Sequence, residues 1–121
     1  MRAVALAAIA AVLGGWWSHR DLVQEDLSIA YYNLGNRYRE LADWPNAIES
    51  YRRVLEKRPN FVSAYNNLAL VYETMGDHDA LARVTWERVR ELGRAQGLPQ
   101  YVERADRHLR ALEAFAEGPP H

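Results

Sequence analysis

A chain of 121 residues is one domain's worth, and its formal net charge of −1 supplies no general pull toward nucleic acid, whose affinity rests on phosphate neutralisation. It has no cysteine, which excludes disulfides, thiolate metal sites, a cysteine nucleophile and the lipid attachment of a bacterial lipoprotein. With 49% hydrophobic and 26% charged residues it can bury a core.

The first element, residues 1–17, is membrane-facing. Ala3 to Leu13 are uninterrupted small and aliphatic residues behind a single Arg2, and Gly14, Gly15, Trp16 and Trp17 extend the uncharged run. The run falls short of the roughly 20 residues that cross a bilayer comfortably, which suits a signal peptide. Against cleavage, two bulky tryptophans stand where a small-x-small site belongs. Tryptophan is typical of the water interface of a membrane helix, so Trp16 and Trp17 are candidate interface residues of a retained anchor. A buried helix of a soluble protein would need a polar face that this run lacks. The expectation is a single-pass membrane protein with the rest of the chain on the extracytoplasmic side, although Arg2 and Arg20 leave the positive-inside bias nearly silent. Residues 18–27 form a short polar connector without a Gly/Ser/Pro-rich spacer.

From Ser28 the pattern changes to helical periodicity. Tyr31, Leu34, Tyr38 and Leu41 recur at three-to-four-residue steps, and Ala47, Ile48, Tyr51, Val54 and Leu55 make a second such face. Between them Asp43 can cap a helix and Pro45 suits its first turn. Pro59 stops that helix just after Lys57 and Arg58, which suit its C-terminal dipole. The stretch to Phe61 reads as helix, tight turn, helix.

Slid against itself by about 34 residues, the chain repeats. Tyr31 falls on Tyr65, Asn33 on Asn67, Leu34 on Leu68, Gly35 on Ala69 and Tyr38 on Tyr72. The copied first helix runs from Val62 to Met75 and ends at Gly76; the second runs from about Asp79 to Gly93. Strict register puts Leu81 at the position of Ala47, whereas a shift by one puts Ala82 and Trp86 at the small and aromatic positions, so the inter-helix turn has gained a residue. The repeat region spans residues 28–97. Beyond it, residues 98–117 carry Tyr101, Ala105, His108, Leu109, Leu112 and Phe115 at helical spacing and read as a capping helix with one polar side. Residues 118–121 are a frayed tail.

The segment resembles a tetratricopeptide (TPR) repeat, strong over about residues 28–61 and degenerate over about 62–95, with Tyr31, Leu34, Gly35, Tyr38, Ala47, Tyr51 and Pro59 at the signature positions. The fold expected is all-α: a TPR-type helix-turn-helix solenoid between an N-terminal apolar helix and a C-terminal cap. Gly35 and Ala47 are small where two helices cross. The resemblance implies a concave face lined by the first helix of each repeat. It places Tyr32, Asn33, Asn36 and Arg39 there from the first repeat, and Asn66, Asn67, Leu70 and Glu73 from the second. Asparagine presents donor and acceptor together and suits the backbone of an extended peptide. One subclass of the family grips a C-terminal carboxylate with basic residues and two asparagines. Asn36 and Asn67 match its asparagines, but Tyr32 and Glu103 stand where basic residues belong.

No catalytic constellation accompanies the repeats. Asp77, His78 and Asp79 are consecutive, which keeps them from converging on one ion, and they sit in a turn where Asp is a common cap. No nucleophile elbow or phosphate-cradling glycine loop is present. The reading is a non-catalytic protein-interaction module, a membrane-anchored adaptor or accessory subunit of a membrane complex. It binds a protein or peptide, takes no cofactor, metal or nucleic acid, and has self-association as a further option because two repeats bury little core. The alternative is the C-terminal TPR tail of a membrane-embedded glycosyltransferase.

Overall fold

The computed structural model describes residues 27–118, which are all-helical. Helix α1 covers residues 27–40, followed by α2 (Trp44–Lys57), α3 (Val62–Met75), α4 (Asp79–Ala95) and α5 (Pro99–Glu117). None of these helices is long and apolar enough to cross a membrane. The expected anchor over residues 1–17, with Trp16 and Trp17, lies outside the described residues.

Local chemistry sets the helix ends. The Asp43 carboxylate accepts from the Asn46 backbone N–H at 3.4 Å and from its side-chain amide at 2.8 Å, so α2 starts with a satisfied cap and Pro45 in its first turn. At its other end the Arg58 N–H donates to the Val54 carbonyl, and Pro59 prevents continuation. Helix α3 ends at Gly76, whose φ of +79° is the left-handed turn that glycine adopts freely. One repeat earlier Ala42 takes the same region with φ +56°. Only Asp43 separates Ala42 from α2, whereas Asp77 and His78 both separate Gly76 from α4. The extra residue of the second repeat is therefore in this turn.

That insertion explains the shifted register of α4. Ala82, Trp86 and Val89 are fully buried, while Leu81 is 48% exposed. Ala47 and Ala82 each stand fourth in their helix, so the two repeats match from the helix starts rather than from strict sequence spacing.

Two core clusters share α3. Ala64, Leu68 and Val71 pack with Ala47, Tyr51 and Val54 of α2; Val62 and Ala69 pack with Ala82, Trp86 and Val89 of α4 and Ala105, Leu109 and Leu112 of α5. Tyr72 touches both clusters, tying the repeats together. The helices approach closely at two glycines. A Cβ on Gly35 would lie 2.7 Å from Cε1 of Tyr51, and one on Gly93 would lie 3.1 Å from a Val102 methyl.

The periodicity of α1 overstated its burial. Tyr31 and Tyr38 are half-buried against the first cluster, but Leu34 is 41% exposed and Leu41 70% exposed. Burial needs a neighbour as well as a periodic stripe: Leu68, the equivalent of Leu34 one repeat later, is only 5% exposed because α2 precedes it.

Candidate partner-binding face

The first helices of the repeats place a row of polar side chains in contact. The Asn67 side-chain amide donates to Asn36 Oδ1 at 2.8 Å and to the Tyr32 hydroxyl at 3.2 Å, joining α3 to α1. Tyr51 reaches across from α2 and donates its hydroxyl to the same Asn36 oxygen at 2.6 Å. On the other side Asn66 donates to Asn67 Oδ1 at 3.0 Å, and Arg104 of α5 donates to Asn66 Oδ1 at 3.1 Å. A continuous chain of hydrogen bonds thus runs from α2 through α1 and α3 to α5.

Two further bridges extend it between α3 and α5. The hydroxyls of Ser63 and Tyr101 are 2.8 Å apart, and His108 Nδ1 lies 2.7 Å from Glu73 Oε2. Ser63, Asn66 and Glu73 share one face of α3 by helical spacing, as do Tyr101, Arg104 and His108 on α5. The His108 ring also stacks on Trp86, with centroids 4.2 Å apart. Helix α5 is therefore more than a cover, since it contributes a third wall to the polar face.

The expected face residues divide. Tyr32, Asn36, Asn66 and Asn67 come together in the network, and Glu73 pairs separately with His108 of α5. Leu70 packs against the second core cluster. Asn33 is exposed beside the network. Arg39 is half-buried, and its Nε is buried without a hydrogen-bond partner among the described residues. Asn66 and Asn67, expected on the partner face, are buried, and their polar atoms hold the repeats together. The sequence reading missed Tyr51, Ser63, Tyr101, Arg104 and His108 as members of this polar face. The three-and-four spacing of the α5 trio was the available signal.

Asp77 and His78 bond each other, the His78 ring stacks on Tyr72, and no three His, Asp or Glu side chains converge among the described residues.

Burial pushes the Tyr51 hydroxyl up from an ordinary 10.0 to about 12, with the Arg39 charge pulling the other way. An acid held protonated by the fold stabilises it fully below the unfolded value and loses that contribution as pH rises through the folded one. Alkaline titration followed by circular dichroism should therefore show stability falling between about pH 10 and 12, by roughly 2–3 kcal/mol at the upper end. Tyr51→Phe should remove most of that slope. Tyr72, also raised by burial, leaves a residue of it. An unchanged slope in Tyr51→Phe would show that Tyr51 ionises freely.

Antiparallel helix pairs stacked through a shared first helix, with a small residue at each crossing and a polar face along the first helices, make a helical-repeat architecture. Residues 35–76 match the sequence model of the TPR repeat family, so the chain carries a TPR repeat that spans α1, α2 and α3. Among known proteins it is similar to the Photosystem I assembly protein Ycf3 of Cyanophora paradoxa, with 33% identity over 55 residues. That match covers 46% of this chain and 32% of the relative.

Proposed function

We propose that this chain is a non-catalytic adaptor or accessory subunit that holds a segment of a partner protein against the polar face of α1, α3 and α5, tethered to a membrane by residues 1–17 with the repeats on the extracytoplasmic side. The observation that carries the reading is the rigid alignment of that face. Hydrogen bonds from Tyr51 of α2 through Asn36, Asn67 and Asn66 to Arg104 join four helices and hold the face in place, which lowers the ordering cost at the moment of binding. A similarity to a protein named for assembling a photosystem agrees with a role in bringing subunits together.

The side chains that offer themselves to a ligand are the exposed Asn33 and the half-buried Arg39, whose guanidinium faces Tyr51 but whose Nε has no hydrogen-bond partner among the described residues. A peptide carboxylate or backbone carbonyl would find the Arg39 guanidinium beside the Tyr32 and Asn36 side chains. The full chain, tagged and captured from a detergent extract of its native membranes, should retain a partner that Asn33→Ala combined with Arg39→Gln releases. The loss expected is about five- to thirtyfold in affinity, with the helical circular-dichroism signal unchanged. A partner held equally well by the folded double variant would remove the concave face from the proposal, and recovery of the wild-type chain in the soluble fraction would remove the anchor.

A further inference from the structure

The two repeats differ in what covers their first helix. On α3, Phe61, Ala64, Leu68, Val71 and Met75 form one stripe, and all five lie in the cluster built with Ala47, Tyr51 and Val54 of α2. One repeat earlier these positions are Leu27, Ala30, Leu34 and Arg37 of α1 and Leu41 just past its end, and all five are exposed. Four of the five keep an apolar residue, so α1 displays the docking stripe of a first helix without, among the described residues, the helix that docks on it.

We propose that this outer stripe of α1 binds an amphipathic helix of a partner protein, lying antiparallel to α1 as α2 lies to α3 and carrying a carboxylate level with Arg37. The internal copy defines the occupant. Helices α2 and α3 are joined by the four residues 58–61, so they run antiparallel and Val71 falls level with Ile48. Arg37 replaces Val71 on α1, and its only ion pair among the described residues is an exposed 3.5 Å contact with Glu40, weak enough to be given up for a better partner. An occupant with an aliphatic residue at the Ile48 position would bury that guanidinium against hydrocarbon; one with a carboxylate there would pair it.

Other occupants fit less well. A second copy stacked head to tail would have to present the outer side of α5, where Glu103, Arg107, Arg110 and Glu113 are exposed. The chain's own preceding segment breaks the α2 pattern, because the equivalents of Ala47, Tyr51 and Val54 are Leu13, Trp17 and Arg20. This surface is separate from the polar face and stands whether or not that face binds.

The test uses the full chain in detergent micelles and two fluorescent synthetic peptides covering residues 43–58, one of native sequence and one with Ile48→Glu, read by anisotropy. The glutamate peptide should bind the wild-type chain about fivefold more tightly than the native one, and Arg37→Val should reverse the order. Leu34→Asp should abolish both, and Leu81→Asp, on exposed α4 surface, should change neither. Failure of either peptide to bind, an order indifferent to Arg37→Val, or binding that survives Leu34→Asp would each overturn the proposal. Because the chain has no cysteine, Leu34→Cys accepts a single spin label. A mobile label that is immobilised by peptide supports the open stripe. A label already immobile in a monomer would assign the stripe to the chain itself, and a dimer abolished by Leu34→Asp would assign it to a second copy.

Discussion

Trp86→Ala is expected to lower the unfolding free energy by about 3–5 kcal/mol, a large share of what holds a domain of this size together. Trp86 is the largest fully buried side chain among the described residues and sits where α3, α4 and α5 meet, with Val62, Ala69, Ala105 and Leu109 in the same cluster. Its removal leaves a cavity bounded by three helices that are also tied together by side-chain hydrogen bonds, so collapse is restricted. The stack on His108 goes with it, and with that stack the packing that orients His108 toward Glu73. Leu81→Ala, five residues earlier on the exposed side, should stay within about 0.5 kcal/mol. Trp86→Phe separates volume from polarity. It keeps most of the ring and removes an indole N–H that is buried without a partner among the described residues, so it should cost clearly less than Trp86→Ala. Urea unfolding followed by circular dichroism reads all three. Equal midpoints for Trp86→Ala and Leu81→Ala would mean that the core of the second repeat is built in the strict register, with Leu81 inside.

That register shows what was legible in the sequence. Small residues at 35, 69 and 47 and aromatics spaced around them are local signals, so the helix pairs and their crossings could be read, and even the inserted residue betrayed itself through Ala82 and Trp86. The burial of Leu34 and Leu41 could not be read the same way, because a stripe reports what a helix can bury and the neighbour decides whether it does. The asparagines posed the harder problem. Asn36 and Asn67 are 31 residues apart and Asn66 and Arg104 are 38 apart, so their pairing depends on the stacking of whole repeats. A side chain that can serve a ligand can equally serve the next helix, and here the donors and acceptors of Asn66 and Asn67 are taken up inside the stack. Helix α5 was legible as a cover from its apolar positions, while Tyr101, Arg104 and His108 acquired a role only once α3 lay opposite them.

Gly35→Leu should unfold the first repeat, with a loss of about 3 kcal/mol or more, because the site has no room even for a methyl group. A Cβ there would stand 2.7, 2.9 and 3.0 Å from three atoms of the Tyr51 ring, closer than carbon atoms approach without displacement. The ring has nowhere to go. Its hydroxyl is held by Asn36 at 2.6 Å, Tyr32 packs against it at a centroid distance of 6.2 Å, and the side chain is fully buried. Glycine in a helix interior ordinarily costs about 1 kcal/mol against alanine, so its presence midway along α1 already marks a contact worth more than that. The pair can be isolated by a double-mutant cycle. In the wild-type background Gly35→Ala should destabilise, the steric strain outweighing the helix-propensity gain. In a Tyr51→Leu background, where the ring is gone, the same change should stabilise by up to about 1 kcal/mol. The sign of the Gly35→Ala effect therefore reports directly on the α1–α2 crossing. A stabilising effect in both backgrounds would mean that Gly35 and Tyr51 do not touch and that the helix pair closes at some other point.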